Sequence, residues 1–135
     1  MRDHAFRIRI HGREGQGATT AARLLAAAAV RDGLTAQALP CFGRERTGAP
    51  VEAHCRIGGG RTPSSHPHVE ADALLVLDAA LAHLSHVLRD LSPEGYVLVN
   101  ARTLELLGLG ELERTLPPGT RGYSEVTRRS LISAV

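Results

Sequence analysis

Apolar positions fall in short blocks separated by polar, glycine- and proline-rich stretches, and the blocks differ in how they alternate. Phe6 to Ile10 (FRIRI) interleaves apolar residues with arginine and reads as a first strand. Thr19 to Arg31 reads as a helix whose first turn could begin a few residues earlier, and its Ala26–Ala29 run allows close packing on a sheet. Asp32-Gly33 ends it, with the glycine placed for a C-cap. Leu34 to Leu39 predicts a second strand, Pro40 to Pro50 (PCFGRERTGAP) a loop, and Val51 to Ile57 a strand with one exposed face. Gly58-Gly59-Gly60 is a turn, and Arg61 to His68 is polar and irregular.

Ala73 to Leu77 (ALLVL) is continuously apolar, which predicts a central strand covered on both faces. Asp78 then opens a predicted helix running to about Arg89, Ser92 to Gly95 predicts a turn, and Tyr96 to Val99 another buried strand that Asn100 ends. Thr103 to Arg114 has a helical tendency broken by Gly108 and Gly110, and Pro117-Pro118-Gly119 is a turn. The tail from Thr120 reads as a strand followed by the start of a helix. There is no internal repeat and no linker. The alternation of strand and helix predicts a single domain over residues 1–135, an α/β Rossmann-like three-layer sandwich with a mostly parallel sheet and a shortened C-terminal helix.

Composition narrows the function classes. A chain of 135 residues suits one domain with a real core, and 43% apolar residues argue for a folded protein rather than disorder. Aromatics are only 3% and tryptophan is absent, so the core has to be aliphatic. No apolar run approaches the roughly 18 residues of a membrane span, and the N-terminus lacks the apolar region of a signal peptide. A cytoplasmic location follows as an expectation, with Cys41 and Cys55 as free thiols. The formal charge is +2, and all sixteen basic residues are arginine. They are scattered and have few aromatic partners, which argues against nucleic-acid binding. A local anion site stays open, because the arginine fork suits phosphate and carboxylate.

Between the first strand and the first helix lies His11-Gly12-Arg13-Glu14-Gly15-Gln16-Gly17-Ala18-Thr19-Thr20, where α/β proteins hold phosphates. Gly12 and Gly17 have the separation of a P-loop, but Ala18 occupies the lysine position and the chain contains no lysine. The dinucleotide pattern G-x-G-x-x-G also fails, since the glycines fall at 12, 15 and 17. No acidic residue follows the second strand to hold a ribose. Backbone N–H groups at the helix start can still meet an anion; alternatively the glycines only permit a tight strand-to-helix turn.

The segment Arg9 to Gly17 resembles the G-x-G-G-Q-G loop of the gamma-type domain of 2-oxoacid:ferredoxin (acceptor) oxidoreductases, which include pyruvate, ketoisovalerate and indolepyruvate oxidoreductases. Cys41 to Ile57 (CFGRERTGAPVEAHCRI) is similar to that family's S-F-G-P-E-x-R-G-G/A-P-V-x-A-x-V-R-I segment. Ala71 to Asp78 resembles its P-D-x-x-V-x-L-D strand, and Gly95 to Asn100 its G-G-x-x-I-x-N strand. Motifs, order and spacing agree from about residue 6 to residue 100. The resemblance implies a subunit, inactive alone, of an enzyme that decarboxylates a 2-oxoacid on thiamine diphosphate with Mg. Such an enzyme passes electrons through iron–sulfur clusters to ferredoxin or a similar acceptor, and often forms an acyl-CoA. Alpha- and beta-type subunits would carry those cofactors. Two cysteines cannot supply the four thiolates of a cluster. The same resemblance points to Gly12, Arg13, Gly15, Gln16 and Gly17, with Phe42, Gly43, Arg44, Glu45 and Arg46, as loops facing the cofactor pocket or partner subunits.

Departures from the pattern matter. Glu14 stands where the family has glycine, and a carboxylate there opposes anion binding unless Arg13 or another arginine pairs with it. Thr47 stands where arginine is common. Asp78 and Asn100 end parallel strands at the edge where open sheets bind ligands, with helix capping as the competing role. The cysteines flanking the 42–50 loop read as ordinary buried thiols, and His66, His68, His83 and His86 show no zinc spacing. Two other readings remain open: a non-catalytic assembly module on this fold, and a stand-alone nucleotide-binding enzyme.

Overall fold

The computed structural model describes residues 4–40, 48–59, 70–84, 86–100 and 121–124. Strands β1 (Phe6–Arg13), β2 (Ala36–Pro40), β3 (Pro50–Ile57), β4 (Ala71–Val76), β5 (Leu91–Val99) and β6 (Arg121–Ser124) form one six-stranded sheet in the order β2-β3-β1-β4-β5-β6. β1, β4, β5 and β6 are successively parallel, whereas β3 runs antiparallel to both of its neighbours, β1 and β2. The mostly parallel Rossmann-like sheet expected from the pattern is therefore present, with one reversed strand inserted beside β1.

Alternation along β1 divides its demands between two faces. Ile8 and Ile10 point at the helix α1 (Ala18–Arg31), together with Ala53 and Cys55 of β3. Arg7, Arg9 and His11 point to the other face, because successive strand residues alternate. The helix meets the sheet through Ala18, Ala22, Ala26 and Ala29, all buried. Small side chains at this spacing let the helix lie close to the strands. The helix ends as its Asp32-Gly33 pair predicts: Gly33 adopts φ +81 and its N–H donates to the carbonyl of Val30.

The opposite face is built differently. Leu74 and Val76 of β4 and Val97 and Val99 of β5 pack against Leu81, Val87, Leu88 and Leu91. Each such buried aliphatic stabilises by roughly 1.5–3 kcal/mol, so this is the main apolar core. It is covered by the 79–90 segment, which makes the third layer. The helix predicted from Asp78 to about Arg89 is not formed there. A short 3-10 helix (Ala79–His83) follows Asp78, and Leu84 returns to extended backbone at ψ 124. The turn expected at Ser92–Gly95 is instead an irregularity within β5: Ala71 faces Leu91 and Ala73 faces Tyr96, so the intervening residues bulge out of the ladder. The predicted helical tendency at Thr103–Arg114, the turn at Pro117–Gly119 and the C-terminal helix lie outside the described residues.

The alanine interface has a direct test. Ala22→Leu forces a larger side chain between α1 and the sheet and should lower stability by about 1–3 kcal/mol. Ala28→Leu, on the exposed side of the same helix, should stay within about 0.5 kcal/mol of the parent. Equilibrium urea unfolding of the two variants measures both.

Candidate functional site

The glycine segment sits at the carboxyl end of β1. Gly12 and Arg13 are still strand residues, facing Val51 and Pro50 of β3. The chain then turns, with the Gln16 N–H donating to the Arg13 carbonyl at 2.9 Å. Gly15 and Gly17 both adopt φ +88, a conformation that side chains disfavour, and Gly17 caps α1. At Gly12 the requirement is space: a Cβ there would lie 3.2 Å from Leu77 Cδ1.

Asp78, at the end of β4, holds this turn. Its Oδ2 accepts from Arg13 Nε at 3.0 Å and from Gln16 Nε2 at 3.4 Å, while Oδ1 accepts from the Ala80 N–H at 3.0 Å. The capping role expected for Asp78 is thus real, and the same carboxylate also clasps the loop. The Ala80 N–H and the Arg13 guanidinium hold its pKa below the ordinary aspartate value. Gln16 closes the clasp from its other end, as its Oε1 accepts from the Arg13 N–H at 2.7 Å.

Arg13 also reaches the segment that leads into β3, donating from Nη1 to the Gly48 carbonyl at 3.0 Å, and the Glu14 N–H donates to the Ala49 carbonyl at 2.9 Å. The turn therefore meets the end of the second expected loop. Phe42, Gly43, Arg44, Glu45 and Arg46 lie outside the described residues, as do Cys41, His66 and His68. The partner of Arg13 is Asp78 rather than Glu14, whose side chain is exposed. A bound phosphate would find the loop's arginine already paired and a carboxylate beside it. Asn100 lies one strand further along the same edge, donating from Nδ2 to the Leu77 carbonyl.

A second constellation was not anticipated from spacing. On the face of β1 and β3 away from α1, buried His11 lies opposite Glu52 in the ladder, with Nδ1 3.8 Å from Glu52 Oε2. His54 Nε2 donates to Glu52 Oε1 at 2.6 Å. The His86 ring stands edge-on to His11, with centroids 6.5 Å apart. Burial pushes the His11 pKa down to about 4; Glu52 opposes the shift, while Arg9, His86 and His54 add to it. The hydrogen bond from His54 holds Glu52 below the usual carboxylate range against the effect of its burial. Glu52 and His54 share a face by their i, i+2 spacing, a signal present in the sequence; only the strand pairing brings His11 to them.

Arg9 is buried on this same face and donates from Nη2 to the carbonyls of Val87 and Arg89. Cys55 is buried on the other face as a free thiol, its pKa raised by desolvation. Among the described residues no group of three or more His, Cys, Asp or Glu side chains has the geometry of a metal site. No helix among them is long and apolar enough to cross a membrane.

Comparison with known proteins gives a family match to pyruvate ferredoxin/flavodoxin oxidoreductase over residues 7–130. Pyruvate synthase subunit PorC of Methanothermobacter marburgensis is 46% identical over 93 residues, which is 69% of this chain and 52% of that protein. The pyruvate/ketoisovalerate oxidoreductases common subunit gamma of Pyrococcus furiosus is 46% identical over 93 residues, 69% of this chain and 50% of that one. The chain spans about half the length of these curated relatives. Among solved structures, pyruvate oxidoreductase subunit PORC of Thermotoga maritima superposes with a TM-score of 0.70 at 33% identity, covering 90% of this chain and 61% of that one.

The clasp separates into a cap and a charge. Asp78→Ala removes both and should destabilise by about 1–2 kcal/mol. Asp78→Asn retains a capping oxygen and, because the Arg13 pair is partly exposed, should lose only about 0.2–1 kcal/mol of ionic contribution. Thermal and urea unfolding of the pair distinguish the two contributions. The His11 cluster predicts a pH dependence. With its folded pKa near 4 and an unfolded value of about 6.5, His11 takes up protons more readily once the chain unfolds. Stability should therefore fall as pH drops from about 6.5 towards 4. Glu52, also depressed, should extend the loss at lower pH, since protonation removes its native contacts. Urea midpoints measured across this range should show that limb in the parent and a flatter one in His11→Phe.

Proposed function

Because the chain belongs to the pyruvate ferredoxin/flavodoxin oxidoreductase family, we propose that it is the gamma-type subunit, or the gamma-type part, of a cytoplasmic 2-oxoacid:acceptor oxidoreductase. In this reading the complex decarboxylates a 2-oxoacid oxidatively, forms an acyl-CoA and delivers electrons to ferredoxin or a similar carrier. Alpha- and beta-type subunits supply thiamine diphosphate, Mg and iron–sulfur clusters. This chain has too few cysteines for a cluster of its own. Its contribution is the edge carrying the Gly12–Gly17 turn and Gly48, which faces those subunits and helps to shape their pocket.

The observation that carries the reading is the Asp78 clasp within a chain of this family. Arg13 and Gln16 are turned inward onto Asp78, and Gly48 accepts from Arg13. An edge tied across β1, β3 and β4 is preorganised and needs little reordering on docking. It is less suited to holding a nucleotide alone, because the turn's arginine is already neutralised and Glu14 stands beside it.

The test is purification of the tagged chain from its native host, followed by dye reduction with a panel of 2-oxoacids, with and without CoA. Thiamine- and cluster-bearing polypeptides should co-purify, and dye should be reduced only when a 2-oxoacid is present. A chain that purifies alone, or with partners lacking thiamine diphosphate, overturns the proposal. In the assembled complex Arg13→Glu should lower turnover about tenfold or more, since small displacements of positioning groups cost on that order or above. Steady-state kinetics of the purified variant complex read that loss.

A further inference from the structure

Two polar side chains on one face of β1 are sealed from solvent, and each keeps one atom unpaired. Arg9 is 6% exposed and His11 3%. Arg9 Nε and His11 Nε2 have no hydrogen-bond partner among the described residues. Buried polar atoms are nearly always paired, with protein or with ordered water, so two unpaired neighbours call for an occupant. Arg9 and His11 stand two positions apart on the strand and project from the same face. Both also reach the same stretch of chain. Arg9 Nη2 donates to the carbonyls of Val87 and Arg89, and the His11 ring meets His86 edge-on with centroids 6.5 Å apart. The two side chains therefore converge beneath residues 86–89.

The proton on His11 decides what fits there. Glu52 Oε2 lies 3.8 Å from Nδ1, and the hydrogen bond from His54 helps to keep that carboxylate ionised, so it only accepts. Burial keeps the imidazole neutral at neutral pH. Its one proton is accordingly on Nδ1, towards Glu52, and Nε2 presents a lone pair. Arg9 Nε is always a donor. The occupant must accept from Arg9 and donate to His11. A carboxylate or phosphate would accept from Arg9 but meet the His11 lone pair, with Glu52 behind it. A metal ion or an ammonium group would suit the lone pair but meet the Arg9 charge. A neutral oxygen that carries a proton does both. Because neither atom is open to bulk solvent, that oxygen belongs to something as small as water.

We infer that one internal water binds between Arg9 and His11, accepting from Arg9 Nε–H and donating to His11 Nε2. It completes a polar chain that runs from His54 through Glu52 and His11 to Arg9 and the carbonyls of Val87 and Arg89. That chain joins β3, β1 and the 86–89 cover at the residue before Gly12, so the water is a structural part of the layer behind the glycine turn.

A crystal structure of the full chain, at a resolution that shows ordered water, tests the site directly. One water should lie about 2.7–3.2 Å from both Arg9 Nε and His11 Nε2. Protein groups paired with either atom, or both atoms packed against carbon with no water between them, overturn the inference. Imidazole nitrogen chemical shifts of His11 test it in solution. A protonated Nδ1 with an acceptor Nε2 at neutral pH is expected, and a proton on Nε2 overturns the assignment. Oxygen-17 relaxation dispersion then counts the long-lived internal waters. His11→Phe, folded by circular dichroism, should lose one relative to wild type, and an unchanged count overturns the site. The first two measurements need only the wild-type chain, so they decide the matter even where His11→Phe does not fold.

Discussion

A guanidinium buried on a central strand needs hydrogen-bond acceptors, and Arg9 finds two for its Nη2 in the carbonyls of Val87 and Arg89, while its buried Nε stays unpaired among the described residues. Much of the architecture around the site follows from that contact. It ties the segment after the 3-10 helix to the middle of β1, so that Val87 and Leu88 seat on Leu74 and Val76 of the neighbouring strand. It also brings His86 against His11 and sets a positive charge beside an imidazole that burial already keeps neutral. Removing such a group leaves carbonyls without a donor as well as a cavity, which is why buried polar networks are sensitive to the loss of any member.

The two ends of the domain's chemistry meet on β1. Its Ile8 and Ile10 fix the alanine helix, its Arg9 and His11 carry the buried polar layer, and its last residues become the glycine turn. Asp78 then closes that turn onto β4. The turn places two glycines at φ +88 before a helix N-terminus, but the side chains around it are arranged for cohesion. Family membership and this preorganised edge support the same reading, in which the pocket is completed by other subunits.

The segment from Asp78 to Arg89 shows how local pattern and tertiary demand can part. Its apolar residues suit a helix, and Asp78 caps one as expected. A continued helix would use the Arg89 carbonyl to accept from the N–H of residue 93, which is proline and has none. Arg9 takes that carbonyl and the one at Val87 instead, and Asp90 turns at φ 58 to lead into β5. The helix is therefore a single short 3-10 piece followed by turns, a result that the pattern of residues 78–89 does not contain. The bulge at Ser92–Gly95 has the same character: glycine and proline were visible, but whether they made a turn or an irregular strand depended on the register with β4.

By itself the sequence determined β1, α1 with its glycine stop, β3, the central β4, and the family through the order of its glycine and strand motifs. These features depend on residues close together along the chain, where period, capping and backbone freedom act directly. Tertiary structure alone decided that β3 runs antiparallel between β1 and β2, that Arg13 pairs with Asp78 rather than with Glu14, and that His11 joins Glu52 and His54. Arg13 and Asp78 are 65 positions apart. Their encounter requires β1 and β4 to pair in one register, and no local preference encodes it.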